Sequence, residues 1–260
     1  MAGVLLTVAY DGGPFAGFVV QPGQRTVAGE LLGALRALDP AVREIRGASR
    51  TDAGVHARGQ RVAFDTTATI PPRGWVLALT RHLPREIAVR RAAFVPERFT
   101  PRFVSLGKRY RYLLLRDPVR DPFLEGRVWR APGFTGDEPL ARAAREAALA
   151  VGTHDFAAFR SSDDPRTNTV RTLSAVSVTV DPSDARLVRV DVEGDAFMHN
   201  MVRILVGTIV DVARGAKEPG AITRALASRQ RRDAGITAPG QGLCLEEVWL
   251  PDEGTEGWPG

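Results

Sequence analysis

The sequence predicts an α+β protein made of two ferredoxin-like (RRM-like) halves. Three observations predict it. Residues 1–102 pass through strand and helix patterns in the order β-α-β-β-α-β, and a similar order returns at larger size over residues 103–250. Between the third and fourth elements of the first half lies a glycine-rich stretch, residues 47–60, whose side chains are too polar and too small to build a core.

Each element follows from its residues. Residues 4–10 (Val-Leu-Leu-Thr-Val-Ala-Tyr) read as a buried strand ended by the turn Asp11-Gly12-Gly13-Pro14. Thr26 can cap a helix whose apolar face is Val27, Leu31, Leu35 and Leu38, with Pro40 closing it. A short strand near 42–46 precedes the glycine-rich loop, and residues 60–66 alternate as a half-buried strand does. A helix over 73–83 and a strand over 87–94 complete the first half.

In the second half, residues 104–115 read as a long strand, and Asp137 opens an alanine-rich helix running to about Val151. Strands at 173–180 and 186–193 flank the turn Asp181-Pro182-Ser183-Asp184 as a hairpin. A strongly apolar helix is expected over 196–213, a shorter one over 218–228 and a last strand over 243–250. Residues 251–260 are expected to form a flexible tail. A cleft between two such halves is a natural ligand site.

Composition narrows the function. Hydrophobic content of 44% and charged content of 25% describe a soluble globular protein. The first residues lack the basic region of a signal peptide, and no apolar run approaches the ~20 residues of a membrane span. The single cysteine, Cys244, precludes an internal disulfide and suits a reducing cytoplasm. The net charge of +5 is uneven: residues 1–102 hold 14 Arg against 8 Asp and Glu, whereas residues 103–260 hold 21 Lys and Arg against 22 Asp and Glu. Lys108 and Lys217 are the only lysines. Guanidinium groups recognise phosphate bidentately and stack on bases, which favours a nucleic-acid partner.

Four constellations could carry chemistry. The first is Asp52 with Arg50 and His56 in the glycine-rich loop, where the carboxylate reads either as a turn residue or as a reactive group. No third ligand accompanies Asp52 and His56, and His82, His154, His199 and Cys244 follow no ligand spacing, so no metal site is expected. A phosphate loop and a Gly-x-Ser-x-Gly nucleophile elbow are also lacking. What remains is cofactor-free chemistry by a lone carboxylate.

The second constellation, Lys108-Arg109-Tyr110-Arg111-Tyr112, places Lys108, Tyr110 and Tyr112 on one strand face and Arg109 and Arg111 on the other. It reads as a base-stacking, phosphate-holding strand or as an exposed strand with half-buried tyrosines. In the third, Arg203 interrupts an apolar helix and calls for a carboxylate, with Asp52, Asp195 and Asp211 as candidates. Pairing with Asp52 would orient that carboxylate and favour its ionised form. The fourth, Gly152-Thr-His-Asp-Phe-Ala-Ala-Phe, reads as structural, with Gly152 ending a helix, Phe156 and Phe159 in the core, and His154 and Asp155 fixing a turn.

Together these segments resemble the TruA-type tRNA pseudouridine synthases. The resemblance runs in order through Tyr10-Asp11-Gly12, Thr26-Val27, Arg50-Thr51-Asp52-Ala53-Gly54-Val55-His56-Ala57, Lys108-Arg109-Tyr110-Arg111-Tyr112, Gly152-Thr-His-Asp-Phe, Arg171-Thr172, Phe197 to Thr208 and Ala238-Pro239, and so covers about residues 4–250. It implies isomerisation of uridine to pseudouridine at positions 38, 39 and 40 of the tRNA anticodon stem-loop. It further implies a homodimer without metal or organic cofactor, and two α+β halves sharing an extended, mainly antiparallel sheet with a basic cleft between them. By the same resemblance Asp52 is the essential carboxylate, Tyr110 stacks on the uracil, Arg203 pairs with Asp52, and Arg50 holds the flipped nucleotide's place or its phosphates. The chemistry is left open at one point: Asp52 can attack C1′, attack C6, or remove the 2′ proton.

The sequence departs from the family's pattern in places. Phe18-Val19 stand where Trp-Gln is usual, Ser49 replaces a glycine, Arg61 replaces an aliphatic residue, and Trp249-Leu250 end the final strand where a tyrosine is common. Arg85, Arg91 and Arg229–Arg232 are further candidate phosphate contacts. Two competing readings are an RNA-binding protein without catalysis and an aspartate-dependent nucleosidase that releases free uracil.

Overall fold

The first strand of the chain, β1 (Ala2–Tyr10), is the centre of a sheet that α1 (Val27–Leu38) and α2 (Pro72–His82) accompany. The structure, a computed structural model, describes residues 1–259 and divides into two units. One comprises Met1–Gly107 with the chain from Leu245 onward, and the other Lys108–Cys244. The division therefore falls five residues beyond the expected boundary after residue 102, and the last strands return to the first unit.

Within the first unit the remaining elements are β2 (Arg46–Gly47), β3 (His56–Thr66), β4 (Ile87–Val95) and the short α3 (Pro101–Val104). The sheet order is β4-β1-β3 with β2 also on β3, the antiparallel order of a ferredoxin-like unit. Thr26 caps α1 as expected, its hydroxyl accepting the Gly29 N–H at 3.2 Å. Val4 pairs with Phe64 and Leu6 with Val62, so these residues share one face. On that face Phe64 meets Trp75 of α2 edge-on at 5.0 Å, and both rings are fully buried. The opposite face carries Leu5, Thr7, Arg61 and Ala63.

The second unit contains β5 (Gly107–Leu115), β6 (Trp129–Arg130), α4 (Asp137–Ala148), β7 (Gly152–Asp155), β8 (Val170–Asp181), β9 (Asp184–Gly194), α5 (Met201–Ala213) and α6 (Ala221–Ser228). Its strands run β5-β9-β8-β7, all antiparallel, and β6 adds a parallel pair to β5. The order β5-β9-β8 repeats the β1-β3-β2 order of the first unit, with α4 and α5 in the equivalent connections. The chain closes with β10 (Leu243–Trp249) and β11 (Thr255–Trp258).

Several boundaries differ from expectation, each for a local reason. The strand expected at 42–46 shrinks to Arg46–Gly47, while β3 starts at His56 instead of residue 60. Residues 101–104 form a helical turn opened by Pro101, so β5 begins at Gly107 and not at 104. The apolar helix starts at Met201 and not at 196, because Asn200 adopts a left-handed backbone (φ 61°) that a helix cannot continue through. Gly152–Asp155 is a strand paired to β8, not a turn. The tail expected to be flexible instead forms β11 against β4, where an edge strand leaves backbone groups to be paired.

Candidate active site

Asp52 sits at the head of a turn whose backbone is held from several sides. Its carbonyl accepts the Val55 N–H at 3.1 Å, and Gly54 takes the left-handed conformation (φ 75°) that the third position of such a turn demands. Val55 in turn abuts the Asp11–Pro14 turn so tightly that a β-carbon on Gly12 would collide with the Val55 carbonyl oxygen. The Gly12 N–H donates to His56 Nδ1 at 3.0 Å, and Asp11 lies 3.2 Å from the same ring nitrogen. His56, on β3, is thus a buried anchor between two turns.

Beneath the turn runs a buried polar network that sequence reasoning missed. The Gln60 amide donates to the Ser49 carbonyl at 2.8 Å while its oxygen accepts the Ser49 N–H at 3.1 Å. The Tyr10 and Thr51 hydroxyls bond at 2.7 Å, and the Thr51 carbonyl accepts the Phe18 N–H at 3.0 Å. All four side chains are buried, Gln60 completely. Ser49, where a glycine was expected, is therefore a bonded member of the loop's support. The available signal was Gln60 itself, a polar residue two positions before the apolar segment Val62-Ala63-Phe64. Buried polar groups left unpaired cost about 1–3 kcal/mol each, so this network fixes one loop conformation.

The carboxylate of Asp52 is half-buried at the loop tip, and Arg50 beside it is exposed. This first unit thus brings together Asp52 and Arg50, two of the four candidate site residues.

The other two lie in the second unit. Tyr110 faces inward on β5 opposite Val192, and its ring meets Phe197 edge-on at 5.1 Å. Tyr110 and Tyr112 are both nearly inaccessible, more deeply buried than the half-buried tyrosines expected. On the other face of β5 the arginines meet carboxylates directly across the ladder. Arg111 pairs with Asp191 at 2.8 Å, and Arg109 lies 3.8 Å from Glu193.

Arg203 occupies the first turn of α5. Its Nε donates to the Ala238 carbonyl at 2.7 Å, one terminal nitrogen donates to Asn200 Oδ1 at 2.6 Å, and the Ala238 N–H returns a bond to the Arg203 carbonyl at 3.1 Å. The same segment receives the Tyr112 hydroxyl, which donates to the Pro239 carbonyl at 2.7 Å; burial pushes that phenol's pKa far up. Of the local carboxylates considered for Arg203, Asp211 binds Arg214 at 2.5 Å and the Ile236 N–H at 3.2 Å, and Asp195 accepts the Thr172 N–H at 3.2 Å. Asn200 and Ala238, neither assigned a role from sequence, therefore orient the guanidinium.

The approach to α5 is fixed by Asp164, a residue without signal in the sequence. Burial pushes its carboxyl up, but the Arg166 guanidinium and the His199 N–H outweigh that and hold its pKa at about 2. Among the candidate phosphate contacts, Arg229 pairs with Asp155 at 3.0 Å and Arg91 with Glu253 at 2.9 Å, whereas the Arg85 side chain is 94% exposed.

A sequence profile described as tRNA pseudouridine synthase matches residues 147–249. The chain is 42% identical over 258 residues to the tRNA pseudouridine synthase A of Syntrophotalea carbinolica, covering 99% of this chain and 100% of that protein. It is 39% identical over 253 residues to the tRNA pseudouridine synthase A of Geobacter sp. strain M21, covering 97% and 100%. Among solved structures, a chain of a Cbf5-Nop10-Gar1 complex is similar at TM-score 0.42 and 11% identity, covering 96% of this chain and 50% of that one, so this chain spans about half its length.

Proposed function

Because this chain belongs to the tRNA pseudouridine synthase A family, whose members isomerise a tRNA uridine to pseudouridine, we propose that Asp52 is the carboxylate that drives that isomerisation, at positions 38, 39 and 40 of the anticodon stem-loop. The observation that carries this assignment is the support of the Asp52 turn. A turn bonded by Val55, Thr51, Ser49 and Gln60 presents one carboxylate in a fixed place. Fixed placement of a reacting group is worth several kcal/mol of barrier.

The reaction breaks the N1–C1′ bond, turns the uracil and joins C5 to C1′, with no net redox change or hydrolysis. A base inside a stem cannot reach a carboxylate on a loop, so the nucleotide flips out first. Tyr110 supplies the stacking surface for the uracil; a ring already held by Phe197 loses little freedom on stacking. The family resemblance supports Arg203 as the ion-pair partner of Asp52, and within its own unit the bonds to Asn200 and Ala238 set the direction of the guanidinium. Arg50, exposed beside Asp52, holds the place of the flipped nucleotide or its phosphates. The family resemblance supports action as a homodimer in the cytoplasm, and no helix of the described residues is long and apolar enough to cross a membrane.

The test uses tRNA labelled with tritium at uridine C5. Forming the C5–C1′ bond expels that hydrogen into water, so label release reports turnover directly. Wild type releases label from positions 38–40 and Asp52→Asn does not. Equal release by both proteins, or free uracil with abasic tRNA, refutes the assignment.

A further inference from the structure

The chain after β10 crosses the first unit in an extended strap. β10 lies beside β3 and β11 lies beyond β4, so the intervening residues pass over β3, β1 and β4. Four strand spacings amount to about 19 Å. The six residue steps from Trp249 to Thr255 reach at most about 20–22 Å. The strap is therefore short, and it is shaped by a turn in which the Gly254 N–H donates to Asp252 Oδ1 at 2.8 Å. It crosses the face opposite α2, because it meets Arg61, Ala93 and Arg91, while Phe64, an odd number of positions from Arg61, faces α2.

Under the strap, Arg61 and Arg91 flank Thr7 on adjacent strands. Arg61 donates to the Thr7 hydroxyl at 2.7 Å, and both arginines bind a single carboxylate, Glu253, at 2.7 and 2.9 Å. One carboxylate against two guanidiniums leaves a charge of +1. The Arg61 Nε is moreover buried without a hydrogen-bond partner among the described residues. The strap itself carries Asp252, Glu253 and Glu256 and no basic residue, and it lies on the half of the chain with excess arginine. Modules of this strand order present RNA to the helix-free face of their sheet.

We infer that Arg61 and Arg91 form a binding site for an RNA phosphate, and that Glu253 occupies it in the free protein as an internal anion which tRNA displaces. A phosphodiester carries the same charge as the carboxylate and offers oxygens to both guanidiniums. Displacing Glu253 removes the strap's ion pairs to Arg61 and Arg91, and β11 loosens from β4 with it.

The inference rests on the tRNA reading above, and its test reads binding instead of turnover so that the two fail separately. Affinity for tRNA is measured over a salt series for wild type, Glu253→Gln, and Glu253→Gln combined with Arg61→Val. Glu253→Gln is expected to bind about threefold tighter at low salt, with a log–log salt slope steeper by about 0.7–0.9, the increment of one phosphate contact. Adding Arg61→Val returns both to wild-type values. Unchanged affinity and slope, or weaker binding, overturns the inference. Should Glu253→Gln fail to fold, hydrogen exchange of wild type decides: the amides of residues 252–258 exchange faster with tRNA bound, and unchanged or slower exchange overturns it. Wild type that binds tRNA with these slopes but releases no C5 tritium would sink the catalytic assignment alone.

Discussion

The Gln60 side-chain amide bonds both the N–H and the carbonyl of Ser49, at 3.1 and 2.8 Å, as a neighbouring strand would. Strand pairing on this side of β3 ends with Arg46–Gly47, so a side chain takes over where the backbone ladder stops. The residue that follows Ser49 and Arg50 is Thr51, hydrogen-bonded to Tyr10, and then comes Asp52. Gln60→Leu would remove both bonds to Ser49. Unfolding in urea is expected to show a loss of about 2–4 kcal/mol, and tritium release should fall more than stability alone explains. A variant with wild-type stability and rate would remove Gln60 from the support of the site.

Gly12→Ala tests the loop from the other side. The new methyl meets the Val55 carbonyl, so the Asp52 turn must shift. A displacement of about 1 Å can cost about a hundredfold in rate. We expect kcat to drop by at least about tenfold while tRNA affinity stays near wild type. A drop confined to affinity would show that the turn does not position the carboxylate.

Arg203→Ala is expected to abolish turnover far more than tRNA binding. Arg203→Lys should rescue little, since an ammonium cannot reproduce the fork that bonds Ala238 and Asn200 together. Tyr112→Phe removes the bond to Pro239 and should cost about 1 kcal/mol of stability, with a small rate loss transmitted through the 238–239 segment. Lost affinity with intact turnover at saturating tRNA would assign Arg203 to docking instead.

Acid stability has a named source. At the C-terminal end of α1, the Thr66 hydroxyl bonded to Asp39, together with the Thr67, Ala41 and Ala68 N–H groups, holds that carboxyl at about 2 against burial that pushes it up. A depressed folded-state pKa means that stability is fully present above the unfolded value of 3.8 and is lost as pH falls through about 2. Unfolding free energies measured from pH 6 downward should fall across that window. Asp39→Asn should lower the plateau and flatten the fall, and an unchanged acid limb would contradict the linkage.

Much of this protein is legible in its residues because local chemistry dictates it. Thr26 caps a helix whose face is set by Val27, Leu31 and Leu35, and strand alternation separates Arg109 and Arg111 from Tyr110 and Tyr112. The element order of both units and the glycine-rich loop with Asp52 at its tip follow from the same short-range rules. The motif series also named the family, as 42% identity to a relative over 99% of the chain bears out.

Tertiary structure decided what depends on residues far apart in sequence. Gln60 reaching Ser49, Tyr10 reaching Thr51, Ala238 receiving Arg203, and Glu253 joining Arg61 to Arg91 span from eleven to 192 positions. It also turned the tail from an expected loose end into a strand on β4. The physical reason is the same in each case. A local pattern fixes which side of an element a residue faces, but a buried polar group is satisfied by whichever partner the folded chain brings within 3 Å. Sequence thus determined that Asp52 would be presented on a loop, and only the folded chain decided what holds that loop still.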